Sequence, residues 1–158
     1  MEIPPLFNLT EKVALVSGAS RGIGAAIAQI LAEFGANVIL TSRRAENLKE
    51  VETSILKSGN HASSMVCHNG DLAQIESLFQ NIKKIHGRLD ILINNAATNP
   101  FYGSVLDADE AAWDKTLDVN LKGPYFMSQH AAKLMQKNGG GSIVNVSSIN
   151  GRIPMHQQ

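Results

Sequence analysis

Three glycines near the start of the chain lie between an apolar segment and an amphipathic one, and their spacing constrains the fold more than any other feature. Residues 17–24 read Ser-Gly-Ala-Ser-Arg-Gly-Ile-Gly and follow the apolar run 13–16. Gly18 permits a tight turn, Gly22 lets the backbone approach a bound group, and Gly24 allows a helix to pack closely on a strand. A helix that starts in such a turn directs its amides and its dipole at phosphate groups. Ordinary turn glycines are the alternative explanation.

Short segments rich in Val, Ile and Leu alternate with longer amphipathic segments along the chain. This alternation is typical of repeated βαβ units, which build a parallel sheet with helices on both faces. We therefore predict an α/β, Rossmann-type, doubly wound parallel sheet with five strands, in which residues 1–158 form one NAD(P)-binding domain. The predicted strands cover residues 13–17, 37–41, 63–67, 89–94 and 142–147, and the predicted helices cover residues 22–34, 45–57, 72–86 and 109–137.

Residues that start or interrupt helices support these boundaries. Asp71 and Asp109 are suited to cap the third and fourth helices. Gly123 and Pro124 fall inside the long fourth helix, where proline lacks an amide donor and clashes with the preceding turn. We therefore expect the helix to bend or break near Asn120.

The end of the second strand indicates which dinucleotide is bound. Many NAD-binding units place a carboxylate there to accept the ribose hydroxyls, but this chain continues with Thr-Ser-Arg-Arg at residues 41–44. Arg43 can present a planar, charged fork to a 2′-phosphate, Ser42 can donate a hydroxyl, and Arg21 can approach from the glycine turn. A solvated basic turn is the alternative, but the pattern favours NADP(H) over NAD(H). The cofactor residues predicted from these two segments are Gly18, Ser20, Arg21, Gly22, Ile23, Gly24, Ser42 and Arg43.

The composition argues against several classes of function. Lys+Arg and Asp+Glu balance at 14 each in 158 residues, so no broad field attracts nucleic acid or an anionic membrane. The single cysteine, Cys67, allows no internal disulfide, and no cysteine and histidine cluster indicates a metal site. No apolar segment approaches the ~20 residues that cross a bilayer. These features favour a cytoplasmic protein with a small-molecule partner, and the scattered histidines receive no role.

Three further motifs follow the glycine turn in a fixed order. They are Asn-Asn-Ala-Ala at 94–97, Asp-Val-Asn-Leu-Lys-Gly at 118–123 and Ile-Val-Asn-Val-Ser-Ser at 143–148. With these motifs the whole chain resembles the short-chain dehydrogenase/reductase family, and in particular its carbonyl-reductase-like and 3-oxoacyl-reductase-like members. The family often has glycine where Ala97 stands. The resemblance implies an NADP(H)-dependent enzyme that interconverts a carbonyl and a secondary alcohol by reversible hydride transfer.

The resemblance also implies contacts with the cofactor. Asp71, followed by Leu72, matches the family's adenine-contacting aspartate, although an N-cap role would explain Asp71 equally well. Asn94 and Ala96 match the motif that lines the adenine-ribose side of the pocket and steadies the central sheet. A simple turn is the alternative for the asparagines.

Two residues match catalytic positions of the family. Asn120 matches a helix asparagine whose main chain, at a local distortion, holds a water for proton relay; an ordinary buried amide is the alternative. Ser148 matches the serine that hydrogen-bonds the substrate carbonyl, because residues 149–151 fit the family's usual turn. Ser147 is the alternative.

The family's proton donor, a tyrosine followed four residues later by a lysine, would fall just past Gln158. Neither Tyr102 nor Tyr125 has a lysine four residues on. Ile143, Val144 and Val146 make the fifth strand apolar on both faces, which suits a strand with neighbours on each side. We therefore expect further chain to cover it, so that the sheet is truncated after its fifth strand and the domain formed by residues 1–158 is incomplete.

Three interpretations of the chain stay open. It is the N-terminal portion of an active NADP(H)-dependent reductase, a truncated and inactive dinucleotide-binding module, or a fragment whose fold depends on another chain. The resemblance implies a homodimer or homotetramer through the long helices. A 3-oxoacyl thioester, a retinoid-like ketone and a xenobiotic carbonyl all fit as substrates.

Overall fold

Five strands form one sheet in the computed structural model, which describes residues 4–153. In chain order the strands are β1 (Val13–Ser17), β2 (Asn37–Ser42), β3 (Ala62–Val66), β4 (Ile91–Asn94) and β5 (Ser142–Asn145). Their order across the sheet is β3-β2-β1-β4-β5, and every pairing is parallel. The predicted Rossmann-type α/β fold is therefore confirmed.

Five α-helices connect or follow these strands. They are α1 (Gly22–Glu33), α2 (Ala45–Lys57), α3 (Leu72–His86), α4 (Glu110–Leu117) and α5 (Gly123–Met135). Short 3-10 helices lie at Pro5–Phe7, Val105–Asp107, Gln136–Asn138 and Ile149–Gly151. Residues 109–137 do not form one continuous helix: a π-helical turn at Asp118–Lys122 separates α4 from α5, where the sequence predicted a bend or break.

The interruption between α4 and α5 has a local cause. A Cβ atom added to Gly123 would overlap the carbonyl oxygen of Asn69, so the start of α5 packs directly against the loop that follows β3. The amide of Gly123 donates to the carbonyl of Asp118, five residues back. Pro124 has no amide to continue the α-helical pattern. The distortion predicted near Asn120 is present at this turn.

Helices cover both faces of the sheet and bury two hydrophobic clusters. Side chains of α3 and α5 pack on one face, and side chains of α1 and α2 pack on the other. Strand β1 is buried along its whole length. Its Leu15 joins the first cluster and its Val16 joins the second, as the alternation of a strand requires. Burial of each large apolar side chain contributes about 1.5–3 kcal/mol.

Half of the strand ends differ from the predicted ones by one or two residues. Strand β3 spans Ala62–Val66 rather than 63–67, β4 begins at Ile91, and β5 ends at Asn145. Before β4, the amide of Asp90 still donates to the carbonyl of Val13 at 2.9 Å. The boundaries therefore depend on single hydrogen bonds at the sheet edge, which composition does not specify.

The chain reverses its direction of travel across the sheet after β3. It moves outward from β1 through β2 to β3 and then returns to the other side of β1 to form β4 and β5. The loops that follow β1 and β4 consequently diverge and leave a crevice at the carboxyl ends of the strands, which is where open α/β sheets bind ligands. The glycine turn, residues 18–22, lies at this crevice.

Candidate functional site

A cleft opens at the carboxyl edge of the sheet between the glycine turn and the loops that follow β2, β3 and β4. Nine predicted cofactor residues line it: Gly18, Ser20, Arg21, Gly22, Ile23, Gly24, Ser42, Arg43 and Ala96. Seven residues that were not predicted also line it: Cys67, His68, Asn69, Asn95, Ala97, Thr98 and Val119. The structure therefore brings the two cofactor segments of the sequence together at one site.

The glycine turn is shaped by close approaches and by two left-handed backbone conformations. Gly18 has φ +67° and Gly22 has φ +56°. A Cβ atom on Gly18 would lie 2.8 Å from the Cα of Ala96, and one on Gly24 would overlap the carbonyl oxygen of Gly18. A Cβ on Gly22 would have no described heavy atom within 4 Å. Gly18 and Gly24 are thus fixed by packing, whereas Gly22 keeps the cleft open.

The start of α1 is suited to bind an anion. Its N-cap is Arg21, and within the described part of the chain no side chain accepts a hydrogen bond at this cap and no acidic residue lies in the first turn. The first amides of a helix have no partner within the helix, and its dipole leaves positive charge at this end. The backbone around Gly22 therefore fits a pyrophosphate group.

Asn95 connects the loop after β4 to the glycine turn. Its Nδ2 donates to the carbonyl oxygens of Ser17 at 3.0 Å and Gly18 at 3.2 Å. In return the hydroxyl of Ser17 accepts the amides of Asn95 at 3.0 Å and Ala96 at 3.1 Å. These bonds hold Ala96 beside the turn, and they explain why a side chain on Gly18 would collide with it.

Asn94 points in the opposite direction from Asn95, as neighbouring residues at a strand end do. Its Nδ2 donates to the hydroxyl of Ser128 on α5 at 3.0 Å and to Oδ1 of Asn145 on β5 at 2.9 Å. The side chain is buried within the sheet and helix interface. The structure therefore places Asn94 outside the cleft lining, and Asn95 is the asparagine that lies in it.

Asp71 and Leu72, predicted to contact adenine, also lie outside the cleft lining. Oδ1 of Asp71 accepts the amides of Ala73 at 3.0 Å and Gln74 at 3.1 Å, so the carboxylate caps α3. The hydrogen bond from the Gln74 amide is the main cause that lowers the pKa of Asp71. Leu72 packs against the hydrophobic cluster beneath α3 and α5. At this point His68 and Asn69 line the cleft, and the adenine contact of Asp71 and Leu72 stays a prediction.

His68 is held from three directions. Its amide donates to Oε1 of Gln74 at 2.9 Å, its Nδ1 accepts the amide of Gly70 at 2.9 Å, and Nζ of Lys115 lies 3.0 Å from its Nε2. Burial, followed by the positive charges of Lys115 and Arg43, lowers the pKa of His68. The ring is therefore neutral in the free protein near pH 7.

Cys67 lines the cleft, but its thiol is not reactive. Burial raises the pKa of its thiol to about 11, with the charge of Asp71 adding to the effect. The thiol is consequently protonated at neutral pH, and a protonated thiol is a poor nucleophile.

Ser42 and Arg43 lie where the second strand meets the cleft. The hydroxyl of Ser42 donates to the carbonyl of Arg44 at 3.0 Å, which stabilises the turn into α2. Arg43 is exposed and follows directly. Among residues 4–153 the cleft lining contains no aspartate or glutamate. The charge at this end of the cleft is therefore positive.

Asn120 lies in the π-helical turn and binds the loop that follows β4. Its Oδ1 accepts the amide of Thr98 and its Nδ2 donates to the carbonyl of Thr98, both at 2.8 Å. The side chain is exposed, which contradicts the alternative of an ordinary buried amide. Asn120 thus connects the distorted helix to the wall of the cleft.

Ser148 lies three residues beyond the end of β5. Its hydroxyl accepts the amide of Asn150 at 3.2 Å and caps the 3-10 helix Ile149–Gly151. The residue is exposed. The structure places it outside the described cleft lining, at the same carboxyl edge of the sheet. The choice between Ser148 and Ser147 stays a prediction.

Two other kinds of site were sought among residues 4–153. That part of the chain holds no group of three or more His, Cys, Asp or Glu residues placed to bind a metal ion. None of its helices has the length and apolarity needed to cross a membrane.

Comparison with known proteins identifies relatives of the chain. The family model of the short chain dehydrogenases matches residues 12–158. The human dehydrogenase/reductase SDR family member 4 is 45% identical over 141 residues, which are 89% of this chain and 51% of the relative. An uncharacterized oxidoreductase of Thermotoga maritima is 42% identical over 147 residues, which are 92% of this chain and 57% of the relative. The chain spans about half the length of the curated relatives it matches.

Solved structures share the fold. A metagenomic short-chain oxidoreductase in complex with NADP has a TM-score of 0.90 and 40% identity, covering 94% of this chain and 67% of its own. A short-chain type dehydrogenase/reductase from Mycobacterium marinum has a TM-score of 0.92 and 31% identity, covering 98% of this chain and 63% of its own.

Proposed function

Because the chain belongs to the short-chain dehydrogenase/reductase family, we propose that it binds NADP(H) and serves hydride transfer between the nicotinamide and a carbonyl or secondary alcohol. The choice of NADP(H) over NAD(H) rests on one observation. The cleft ends at Ser42 and Arg43, and no carboxylate lines it within residues 4–153. A carboxylate would repel a 2′-phosphate, whereas a guanidinium binds it with charge-assisted hydrogen bonds.

The residues of the cleft fit the parts of this cofactor. The free amides at the start of α1, with Ser20 and Ile23 in the same turn, would hold the pyrophosphate. Ser42, Arg43 and Arg21 would hold the 2′-phosphate. Support comes from the metagenomic relative, which is 40% identical and was solved with NADP.

For the adenine end we propose residues that line the cleft itself. Ala96 and Val119 offer small and apolar surfaces in the cleft, and Asn69 lies beside them. We propose these residues, with His68, in place of Asp71, Leu72 and Asn94.

We propose the complete reaction for the whole protein, since this chain spans about half of its curated relatives. The bound cofactor supplies the hydride. Ser148 would donate a hydrogen bond to the substrate carbonyl and stabilise the developing alkoxide. Asn120 would keep the π-helical turn fixed against Thr98, which leaves main-chain groups of the turn available to a proton-relaying water.

The proposal includes a small-molecule substrate, a cytoplasmic location and assembly into a homodimer or homotetramer. Assembly through α4 and α5 is supported by the apolar side chains that they and the intervening turn expose. Trp113 and Leu121 are each 65% exposed, and Tyr125 is 64% exposed. Exposed aromatic and apolar side chains on neighbouring turns are common at interfaces between copies.

Replacement of Arg43 tests the choice of cofactor. Arg43→Asp should shift the ratio of NADPH to NADH affinity toward NADH by more than about tenfold, because it exchanges an attractive charge for a repulsive one. Calorimetric titration of both cofactors measures the ratio. Arg44→Asp is the matched control, because Arg44 is equally exposed but lies outside the cleft lining. An unchanged ratio in Arg43→Asp would refute the NADP(H) assignment.

Replacement of Ser148 tests the reaction. In the whole protein, Ser148→Ala should lower the turnover of NADPH with carbonyl substrates by about 100-fold, because one donor to the developing alkoxide is lost. NADPH binding should be retained, since Ser148 lies outside the cofactor cleft. The absorbance of NADPH measures turnover, and Ser147→Ala is the control. Full turnover in Ser148→Ala together with loss in Ser147→Ala would assign the role to Ser147.

A further inference from the structure

Lys115 of α4 reaches across to the loop that follows β3. Its Nζ lies 3.0 Å from Nε2 of His68, and both side chains are partly buried. The two residues are 47 positions apart in the sequence, so only the fold brings them together. His68 lines the cofactor cleft, and Lys115 therefore places a positive charge directly behind its wall.

The hydrogen bonds of His68 determine which of its nitrogens carries the proton. Nδ1 accepts the amide of Gly70 at 2.9 Å, so its lone pair is occupied. A neutral ring with that bond carries its proton on Nε2, the atom that faces Lys115. An ammonium group also has donors alone. The imidazole and the ammonium therefore both offer hydrogens, and an anionic oxygen is the partner that satisfies both.

Strand pairing places Arg43 next to this pair. Ser42 of β2 is in register with Val66 of β3, and the amide of Cys67 donates to the carbonyl of Ser42 at 3.0 Å. Continued past this pair, the register sets Arg43 beside Cys67, the residue before His68, and both Arg43 and His68 line the cleft. The charge of Arg43 is one of the causes that lower the pKa of His68, after burial and the charge of Lys115.

Asp71 is the acidic group that faces His68. Its carboxylate is engaged by the amides of Ala73 and Gln74 at the start of α3 and by the side-chain amide of Gln74 at 2.8 Å. The carboxylate therefore neutralises the end of α3 and leaves the cluster of Arg43, His68 and Lys115 with a net positive charge.

We propose that Lys115, acting together with His68, determines the preference for the 2′-phosphate of the cofactor, as a second positive group beside Arg43. The proposal rests on the proposed function, because the phosphate in question is the one that distinguishes NADP(H) from NAD(H). Lys115 supplies a fixed charge, and His68 supplies the Nε2–H donor. A dianion bound beside the ring also favours protonation of Nδ1, which then gives up its bond from the Gly70 amide. Selectivity for the phosphorylated cofactor would thus depend on α4, which is remote in sequence from the glycine turn and from β2.

Binding of 2′,5′-ADP and 5′-ADP isolates the contribution of the 2′-phosphate. Lys115→Met keeps an unbranched side chain, one atom shorter, and removes its charge. It should weaken 2′,5′-ADP by about tenfold and change 5′-ADP by less than about twofold, as measured by calorimetry. Lys115→Arg should retain the selectivity, which separates a charge effect from a folding defect. Lys133→Met on the exposed face of α5 is the control and should leave both affinities unchanged.

His68 adds a dependence on pH that a purely structural residue would not produce. As pH falls from about 8 to about 6.5, the preference for 2′,5′-ADP over 5′-ADP should change more favourably in the wild type than in His68→Gln, because the bound dianion stabilises the protonated ring. Protonation of the 2′-phosphate, whose second pKa is about 6, affects both proteins equally and cancels in this comparison. His68→Gln can still accept the Gly70 amide and should flatten this pH dependence.

Three results would overturn the proposal. Equal weakening of both nucleotides by Lys115→Met would make Lys115 a general support of the adenosine site. Unchanged affinities in Lys115→Met would show that its charge does not reach the phosphate. A wild-type protein that fails to distinguish the two nucleotides would overturn the proposed NADP(H) preference as well, and this failure is recognised before any substitution is made.

Discussion

The helices α1 and α3 both begin at the carboxyl edge of the sheet, but the amides of their first turns are capped differently. Asp71 caps α3, and its carboxylate accepts the amides of Ala73 and Gln74. At the start of α1 the N-cap is Arg21, and among the described residues no side chain accepts a hydrogen bond there. A helix amide that is satisfied by its own chain is not available to a ligand. Of these two helices, α1 alone is prepared to bind an anion.

The difference also explains the distribution of glycine. The turn before α1 contains Gly18 and Gly22 with positive φ, and a Cβ on Gly24 would collide with the turn itself. The loop before α3 contains Gly70, whose amide is bound by Nδ1 of His68. The glycine turn keeps its shape because side chains are absent from it, whereas the loop before α3 keeps its shape through hydrogen bonds made by side chains. Predictions for the glycine turn therefore add atoms, and predictions for the start of α3 remove side-chain groups.

Adding a methyl group at Gly24 should have the largest effect on the molecule. The Cβ of Gly24→Ala would overlap the carbonyl oxygen of Gly18 and lie 2.5 Å from Nδ2 of Asn95. Overpacking of this kind costs about 1–3 kcal/mol of the free energy of unfolding. Displacement of the turn should also weaken NADPH binding by at least about tenfold. Urea unfolding and calorimetric titration measure the two effects.

Gly22→Ala and Gly59→Ala form a matched pair that shows where the cleft lies. Both glycines have positive φ, and neither would bring a Cβ within 4 Å of a described heavy atom. Both alanines should cost about 1–2 kcal/mol of stability through backbone strain alone. Gly22 lines the cleft, whereas Gly59 follows the end of α2. Loss of NADPH affinity in both variants, or in neither, would contradict the assignment of the open space beside Gly22 to the cofactor.

The contrast between the two helix starts could be only partly predicted from the sequence. The glycine turn, the end of the second strand and the order of apolar segments predicted the fold class, the cleft and eight of its lining residues, because these depend on local patterns; the family resemblance added Ala96. The adenine contact was placed at Asp71 because this residue follows a strand and matches an aspartate of the family. In the structure Asp71 caps α3, and the residue of this loop that lines the cleft is His68, three positions earlier.

Two other features of the site could not be predicted because they depend on the packing of elements that are distant in sequence. Strand β4 has four residues, and apolar side chains precede Asn94 on both faces, so no alternation indicated which asparagine faces the cleft. The hydrogen bonds show that it is Asn95. The pairing of Lys115 with His68 depends on how α4 lies over the loop after β3. This contact depends on how the helix predicted over residues 109–137 divides at its π-helical turn; proline and glycine predicted a bend or break there but not its geometry.

Removing the cap of α3 should change stability and leave the cofactor site intact. Asp71→Ala should lower the midpoint of thermal unfolding, because the amides of Ala73 and Gln74 lose their acceptor. NADPH affinity should change by less than about twofold, since Asp71 lies outside the cleft lining. A large loss of affinity at unchanged stability would instead restore the adenine contact that the sequence predicted for this residue.

Asp71→Asn separates capping from charge and has the smallest expected effect. Asparagine is also a good N-cap, so the variant should unfold close to the wild-type midpoint at neutral pH. Hydrogen bonds, first of all from the Gln74 amide, lower the pKa of Asp71 below its usual value in the folded protein. The ionised carboxylate therefore stabilises the fold above the pKa of the unfolded chain, and this contribution is lost as pH falls through the folded value. Midpoints of thermal unfolding measured along an acid series should fall less steeply for Asp71→Asn than for the wild type.

Asp109→Asn is the matched control for this series. Asp109 caps α4 through the amide of Ala112 at 2.8 Å, and its replacement should leave the loss of stability that is due to protonation of Asp71 unchanged. Identical acid series for Asp71→Asn and the wild type would show that the charge of Asp71 adds nothing to its role as a cap.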